Sequence, residues 1–211
     1  MKEYPLFIAV DGVDGCGKST LSQGMESAFR ALGREVMLTR EPGGTPAGKL
    51  FRQMLISTQY DLEPETEMML YCADRLEHQT KMVLPALEAG RDVITDRFVS
   101  STYAYQIFGR GLAKDFLDYL VPHSIKKMPD ITFVIDIEPE TALERAMGRL
   151  VRDNKMNDEG KFEALGIDFF RKVQQGFDWY ADKFENVWRI NGMQKPEAVL
   201  ADVMKILDNF I

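Results

Sequence analysis

The sequence predicts an α/β fold in which a five-stranded parallel sheet is flanked by helices on both faces. Short apolar runs rich in β-forming residues alternate about five times with longer segments of helical periodicity. Such alternation is typical of parallel sheets, because each crossover between parallel strands needs a long connection. A glycine-rich loop between the first strand and the first helix is the second observation, and it favours a phosphate-binding version of this architecture.

Turn signals separate the predicted strands from the helices between them. The strands are expected at 6–10, 35–39, 92–95, 131–135 and 187–190. The run 131–135 is the best candidate for a central strand. The first helix is expected to end at Gly33, since glycine is a common helix stop. Its predicted inward residues are Leu21, Met25, Ala28 and Leu32.

Seven further helical segments are predicted. They lie at about 47–56, 64–89, 98–109, 113–121, from 138 onward, 162–184 and 195–210. The inward stripe of the long segment 64–89 is expected to be Met69, Ala73, Leu76, Val83 and Leu87. The polar stretch 153–160 lacks periodicity and predicts a mobile loop. Trp179, Tyr180 and Trp188 are expected in the core.

Composition narrows the class of protein. The 211 residues suit one domain, 1–211. A formal net charge of −7 argues against non-specific nucleic-acid binding, which needs clustered positive charge. No apolar stretch is long enough to span a membrane and no secretory signal pattern begins the chain, so a cytoplasmic location is expected. The cysteines, Cys16 and Cys72, have no spacing typical of disulfide frameworks or zinc sites.

The glycine-rich loop fits the P-loop signature, with two glycines four residues apart followed by Lys and a hydroxyl residue. Its residues, the expected ATP-binding set, are Gly12, Val13, Asp14, Gly15, Cys16, Gly17, Lys18, Ser19 and Thr20. Backbone N–H groups in such a loop point at phosphate oxygens, and the following helix adds the positive end of its dipole. Lys18 is expected to meet the β and γ phosphates, and Ser19 to place its hydroxyl on Mg²⁺.

Further polar residues follow predicted strands or share one helix face. Arg40-Glu41 and Asp96-Arg97 stand at carboxyl ends of strands, where open parallel sheets bind ligands. Tyr71, Arg75 and His78 share a face of the segment 64–89, so that one ring and one guanidinium are placed to read a base. The alternative on this helix alone is a half-buried Tyr beside a solvated Arg.

A P-loop protein can be a small-molecule kinase, a GTPase switch or a mechanical ATPase. The Asn-Lys-x-Asp segment that reads guanine is absent from the sequence, since the single Asn-Lys pair continues as Met156-Asn157. No second ATPase domain is present in the sequence. Small size and several arginines near strand ends favour a kinase that clamps two anionic substrates.

Together, these segments resemble the thymidylate kinase family over nearly the whole chain. The resemblance is carried by the phosphate loop, Arg40 to Thr45, Ala73-Asp74-Arg75, Asp96-Arg97-Phe98 with Ser101, Tyr105 and Gln106, and Phe169-Phe170-Arg171 before Gly176-Phe177. It implies a P-loop kinase fold with a mobile lid at about 145–161. It also implies ATP-dependent, Mg²⁺-assisted phosphorylation of dTMP to dTDP, and a homodimer packed through helices. The apolar faces of the helices 47–56 and 64–89 are candidates for this contact, although burial in the core would give the same pattern.

The resemblance also implies how dTMP is held. Tyr71 matches the aromatic that stacks on the base, Arg75 the arginine that reaches a thymine carbonyl, and Gln106 a reader of the remaining base edge with both a donor and an acceptor. Arg97 and Arg52 match arginines that grip the acceptor. Ser101 and Tyr105 belong to the same implied set.

The metal, acidic and lid residues complete the implied site. Asp14 matches an acidic residue near the acceptor, Asp96 one that supports the metal shell, and Glu41 is expected to position either Arg97 or a metal-bound water. Members that have no arginine at the position of Gly15 use basic lid residues instead. The candidates here are Arg145, Arg149 and Arg152, with Lys155 and Lys161 behind them.

The sequence leaves alternatives open for the function and for Cys16. One is a kinase of another nucleotide or deoxynucleoside, and another is a P-loop protein that hydrolyses nucleotide slowly and acts as a switch. Cys16, where the family usually has alanine, is either a small residue filling the turn or a thiol with thiolate character near a helix N-terminus, whose alkylation would inhibit.

Overall fold

The structure, a computed structural model, describes residues 4–211. The strands are β1 (Phe7–Asp11), β2 (Val36–Arg40), β3 (Asp92–Asp96), β4 (Ile131–Asp136) and β5 (Val187–Asn191). The first helices are α1 (Lys18–Ala31), α2 (Pro46–Ile56), α3 (Pro64–His78), α4 (Leu84–Glu88) and α5 (Val99–Thr102). The later helices are α6 (Lys114–Ser124), α7 (Pro139–Arg152), α8 (Met156–Glu159), α9 (Ile167–Lys183) and α10 (Pro196–Leu207).

All five strands are parallel and lie in the order β2-β3-β1-β4-β5. The predicted fold class is therefore confirmed. The middle strand is β1, and β4 lies beside it as a second interior strand. The chain crosses from β1 toward one edge of the sheet and from β3 toward the other edge, so these two neighbouring strands form a topological switch point. Ligands bind outside the carboxyl ends of the strands at such a point. The carboxyl end of β1 runs directly into the glycine-rich loop.

The core lies on both faces of the sheet. Alternate residues of β1 point to opposite faces, as the period of a strand requires. Ile8 and Val10 join one apolar cluster with α1, α9 and α10, while Phe7 and Ala9 join the other with α3 and α6. Buried on both sides, the sheet forms a rigid base for the loops at its carboxyl edge.

The inward stripe predicted for the segment 64–89 is confirmed at its end, where Val83 is buried and Leu87 packs against the core, but it is wrong in α3. Met69 and Ala73 are exposed, whereas Met68 and Cys72 are buried, one position earlier along the helix. The buried face of α3 also carries charged residues, which a search for apolar periodicity does not detect. The segment continues through a π-helical turn, Gln79–Val83, into α4.

Three smaller expectations are also corrected. Leu32 lies beyond α1 and is 55% exposed, and Phe29 fills the core position instead. Trp188 is 43% exposed on the edge strand β5, whereas Ile190 of the same strand is buried in the core. The predicted helix 162–184 is interrupted at Gly166, whose φ of 77° ends a short 3₁₀ turn before α9.

The stretch 153–160 is not an irregular loop. It contains α8, whose residue Asn157 accepts hydrogen bonds through its backbone oxygen from the N–H and hydroxyl of Thr58 at 3.1 and 2.9 Å. The lid segment 145–161 therefore lies against the end of α2. No helix among residues 4–211 is long and apolar enough to cross a membrane.

Candidate active site

The glycine-rich loop turns sharply between β1 and α1. Gly12, Gly15 and Gly17 have φ values of 135°, 86° and 104°, which residues with a Cβ rarely adopt. Gly15 has a second constraint, because a Cβ at this position would lie 2.1 Å from the backbone oxygen of Ala142 in α7. The lid helix α7 thus rests directly on the loop.

Lys18, the first residue of α1, places its ammonium inside the loop. Its Nζ donates to the backbone oxygens of Gly12 at 3.0 Å and Val13 at 2.9 Å. The side chain is buried. A cation held at the base of a turn and at a helix N-terminus forms a site suited to the phosphates of a nucleotide.

Ser19 and Asp96 meet beside this loop. The hydroxyl of Ser19 donates to Asp96 Oδ2 at 2.8 Å, which joins α1 to the end of β3. Within the described range 4–211 no group of three or more His, Cys, Asp or Glu side chains is placed to hold a metal ion. Since Mg²⁺ uses few protein ligands when phosphates and waters supply the rest, this hydroxyl and carboxylate fit it.

Arg97 is the centre of a polar cluster just after β3. Its Nη2 lies 2.6 Å from Asp14 Oδ1, and its Nη1 donates to Ser101 at 2.7 Å and to the Gly12 oxygen at 3.2 Å. The guanidinium lies over the ring of Tyr105, 5.0 Å from the centroid. Arg97 has a φ of 77°, so the backbone is strained in order to aim this side chain.

The electrostatics of Asp14 reflect this cluster. Burial alone would raise the pKa of Asp14, but the charges of Arg97 and Lys18 outweigh burial and hold its pKa below the ordinary value. Tyr105 adds to this by donating its hydroxyl to Asp14 Oδ2 at 2.8 Å. Burial, together with the charge of Asp14 and the hydrogen bond to it, raises the pKa of Tyr105 against the opposing charge of Arg97, so its hydroxyl remains a donor. Asp14 is therefore a carboxylate fixed by three side chains.

A cavity of about 550 Å³ opens on this cluster. It is lined by Asp14, Pro42, Arg52, Ile56, Tyr71, Arg97, Ser101, Thr102, Tyr105, Gln106, Arg149, Glu159, Phe162 and Glu163. The structure thus brings together six of the eight residues predicted for the substrate. The half-buried ring of Tyr71 lines the same cavity as Arg97, although the two residues are 26 positions apart in the sequence.

The other two, Arg75 and Glu41, lie behind the wall of this cavity. Arg75 is 2% exposed, which excludes the alternative of a solvated arginine. Its Nε donates to Glu41 at 2.8 Å and its Nη2 to Thr102 at 3.0 Å, while Nη1 has no partner among the described residues.

Glu41 has a different position from the one expected. Its two carboxylate oxygens contact Arg75 Nε and His78 Nδ1, the latter at 2.9 Å, and not Arg97. His78 in turn contacts Thr39 through Nε2 at 2.7 Å. Because Glu41 is buried in this chain, its role is to hold Arg75 in place.

A second cavity of about 1180 Å³ covers the glycine-rich loop. Its basic lining comes from Lys18, Arg40, Arg52, Arg97, Arg145, Arg149, Arg152 and Lys155. All three predicted lid arginines are therefore placed over the loop. Lys161 is not, because its Nζ lies 3.0 Å from Glu67 on the other side of the lid.

The two cavities share one boundary. Asp14, Arg52, Arg97, Arg149 and Glu159 line both of them. Of the three lid arginines, only Arg149 stands at this boundary. A third, more apolar cavity adjoins the loop on the side of Cys16, Leu21, Ile135 and Gly192.

Of the two interpretations of Cys16, the structure supports the small residue that fills the turn, and Glu163 is a site residue that the sequence did not indicate. Cys16 is buried, and burial raises the pKa of its thiol despite the nearby Lys18, so it has no thiolate character. Glu163 follows the lid and lines the first cavity. Burial, and then the charge of Asp14, raise the pKa of Glu163 to about 7. In the sequence it has the ordinary pattern of an acidic residue in the first turn of a helix.

Comparisons with known proteins agree with this geometry. The sequence model of the family described as thymidylate kinase matches residues 10–203. The chain is 37% identical to a thymidylate kinase of Maridesulfovibrio salexigens, over 94% of this chain and 93% of the relative. It is 36% identical to one from Acinetobacter baumannii, over 96% of this chain and 100% of the relative.

A solved structure gives the same result. The crystal structure of thymidylate kinase from Ehrlichia chaffeensis superposes with a TM-score of 0.75 at 30% sequence identity, covering 97% of this chain and 99% of that one. The predicted resemblance is confirmed by sequence and by fold. The chain belongs to the thymidylate kinase family.

Proposed function

We propose that the protein transfers the γ-phosphoryl group of ATP to dTMP, giving ADP and dTDP. The observation that carries this proposal is the shared boundary of the two cavities, where Asp14, Arg97 and Arg149 line both. A donor phosphate above Lys18 and an acceptor phosphate beside Arg97 would meet at this boundary. The family membership of the chain supports the choice of ATP and dTMP.

The reaction requires mainly that the two substrates are positioned and that the charge on the moving phosphoryl group is neutralised. A phosphate monoester is largely a dianion near neutral pH, since its second pKa is about 6, so no general base is needed to activate it. Lys18, Arg97 and Arg149 come from three different elements and supply positive charge where the phosphoryl group moves. Arg52 contacts the lid at Glu159, 3.9 Å away, and adds a fourth cation at the boundary.

The first cavity fits a nucleoside monophosphate. Tyr71 offers a ring face for stacking, and Gln106 offers a polar group for the base edge. We propose that Arg75, whose buried Nη1 has no partner among the described residues, adds a donor once the base is bound. Burial raises the pKa of Tyr71, and the charge of Glu67 raises it further, so this phenol stays neutral beside the ligand. The third cavity, next to the loop, is placed for the nucleoside part of ATP.

Ser19 and Asp96 are the residues that would hold Mg²⁺. Their separation of 2.8 Å places a hydroxyl and a carboxylate together next to the phosphate loop. Bound there, the ion would neutralise charge on the donor phosphates. Asp14 would orient the acceptor, as predicted, and Ser101, which accepts from Arg97 Nη1 at 2.7 Å, would hold Arg97 at its working position.

Two further features belong to this proposal. The apolar residues Leu50 of α2 and Met69 and Ala73 of α3 are exposed on neighbouring helices, which supports a homodimer packed through this face. We also propose a cytoplasmic location, in keeping with two free cysteines.

A coupled assay of ADP release tests the function. Rapid release of ADP that depends on added dTMP, with dUMP, dCMP and dGMP as comparison acceptors, is expected with MgATP. ADP release that is equally fast without an acceptor would support a nucleotide switch instead. Preference for a different monophosphate would assign the protein to another substrate.

A further inference from the structure

A buried carboxylate one turn before Tyr71 has no part in the reaction described so far. Glu67 of α3 is fully buried. Its Oε1 accepts from Gln106 Nε2 at 2.9 Å and from Arg110 Nε at 3.3 Å. Its Oε2 lies 3.0 Å from Arg110 Nη2 and 3.0 Å from Lys161 Nζ. Glu67 therefore joins the base-reading Gln106 to two cations, the second of which belongs to the end of the lid.

This contact decides which way the Gln106 amide is turned. A carboxylate accepts hydrogen bonds but donates none, so the Gln106 NH₂ group must face Glu67. The amide is planar, and its oxygen lies on the other side from Nε2. Since Gln106 lines the first cavity, Oε1 is the atom left for a ligand there. The sequence-based expectation of both a donor and an acceptor is thereby reduced to an acceptor.

We propose that Glu67 is a positioning residue that sets base specificity by fixing the Gln106 amide with its oxygen toward the cavity. The inference rests on the proposed function. Thymine and uracil carry a hydrogen on N3 and can donate it to Gln106 Oε1. Cytosine has an unprotonated N3, which would place two acceptors against each other. Glu67 thus selects 2,4-dioxopyrimidines and disfavours cytosine, without touching the base.

Substitution of Glu67 by glutamine makes a sharp test, because it should reverse the Gln106 amide. Arg110 Nη2 donates to Oε2 at 3.0 Å and the Lys161 ammonium lies 3.0 Å from it, whereas Arg110 Nε reaches Oε1 at the longer distance of 3.3 Å. The amide oxygen of the new side chain is therefore expected at the Oε2 position. Its NH₂ group would then face Gln106. The Gln106 oxygen must then accept from this NH₂ group. The NH₂ of Gln106 therefore turns toward the cavity, where it can donate to N3 of cytosine.

The readout is the ratio of kcat/KM for dTMP to kcat/KM for dCMP. In Glu67→Gln we expect this ratio to fall at least about tenfold, with dTMP becoming a poorer and dCMP a better acceptor. A structural role alone would lower both values together and leave the ratio unchanged. Lys161→Met is the matched control, since it removes a charge from the same carboxylate but keeps the bond to Gln106; its ratio should stay at the wild-type value.

Gln106→Leu provides a second variant in case Glu67→Gln does not fold, as judged by circular dichroism. It removes the reading amide and should also bring the ratio down toward one. An unchanged ratio in folded Glu67→Gln, or in Gln106→Leu, would overturn the inference while leaving the proposed function intact. Wild-type protein that is inactive with dTMP would instead refute the proposed function and this inference with it.

Discussion

Arg97 and Asp14 form a 2.6 Å ion pair at the boundary between the two cavities. The pair connects the end of β3 to the glycine-rich loop, so Arg97 and the loop are fixed relative to each other before a ligand binds. Such preorganisation lowers the free-energy cost of binding, because few protein groups must be ordered when the substrates arrive. Asp14 also balances a guanidinium that would otherwise be buried without a counter-charge.

Arg149 is expected to contribute mainly in the transition state. It is the single lid arginine that lines both cavities, where charge spreads over the moving phosphoryl group. Arg149→Ala should lower kcat by about 10²–10³-fold while changing the Kd for dTMP far less. Arg145→Ala is the comparison, because Arg145 lines only the cavities on the donor side, and its effect on kcat should be smaller. Equal kcat values for wild type and Arg149→Ala would assign the role to another residue.

The local parts of this site are predictable from the sequence, and the long-range parts are not. The loop 12–20 and the pair Asp96-Arg97 are recognised because their chemistry is carried by neighbouring residues. The partners of buried charges are different, since Glu41 lies 34 positions from Arg75. A helical pattern treats Arg75 as a surface residue, and only the folded chain reveals that it is buried.

The helical turn of the lid is likewise not predictable from the sequence. The segment 153–160 is polar throughout, and its helical turn is held by contacts with Ser57 and Thr58 about 100 positions away. Local propensity does not contain that information. Glu67 is a further example. Its place one turn before Tyr71 can be read from the sequence, but its contacts with Gln106 and Lys161 cannot.

The contact between α7 and the loop makes Gly15 sensitive to a single methyl group. A Cβ there would lie 2.1 Å from the Ala142 oxygen, and the φ of 86° disfavours it further. Gly15→Ala should displace α7, lower kcat/KM at least about tenfold, and reduce the free energy of unfolding by about 1–3 kcal/mol. Gly148→Ala on the same helix has open space, so it should be neutral or stabilising by up to about 1 kcal/mol. Thermal unfolding and steady-state kinetics of the two variants check the contrast.

The anchor between α8 and the end of α2 predicts a milder effect. Thr58→Val removes the hydroxyl that donates to the Asn157 oxygen at 2.9 Å but keeps the shape of the side chain. One lost hydrogen bond costs about 0.5–1.5 kcal/mol, so kcat/KM for ATP should fall about two- to tenfold as the lid opens more often. Hydrogen exchange of amides 156–159 should become faster. Ser27→Ala, which loses a hydroxyl bonded within its own helix, should change neither measurement.

The last prediction concerns Asp74, which lies beneath the turn after β2. Its Oδ1 accepts from the Gly43 N–H at 3.1 Å, but Oδ2 is buried and has no partner among the described residues. Burial, and then the charge of Glu41, raise the pKa of Asp74 to about 6 from an ordinary value of 3.8. Between these two values the folded state binds more protons than the unfolded state. The contribution of Asp74 to stability therefore decreases as pH rises from about 4 to 6, and the penalty remains in full above that range.

Asp74→Asn should remove this penalty, because asparagine keeps an acceptor for Gly43 and carries no charge beside Glu41. Relative to wild type, the variant should be more stable by about 1–3 kcal/mol at pH 7.5, and the difference should shrink toward zero near pH 4. Urea unfolding at a series of pH values measures this difference. Glu65→Gln removes an exposed carboxylate from the same helix and should show no such trend. A difference between Asp74→Asn and wild type that stays constant from pH 4 to 7.5 would mean that the pKa of Asp74 is the same in the folded and unfolded states, so that burial does not raise it.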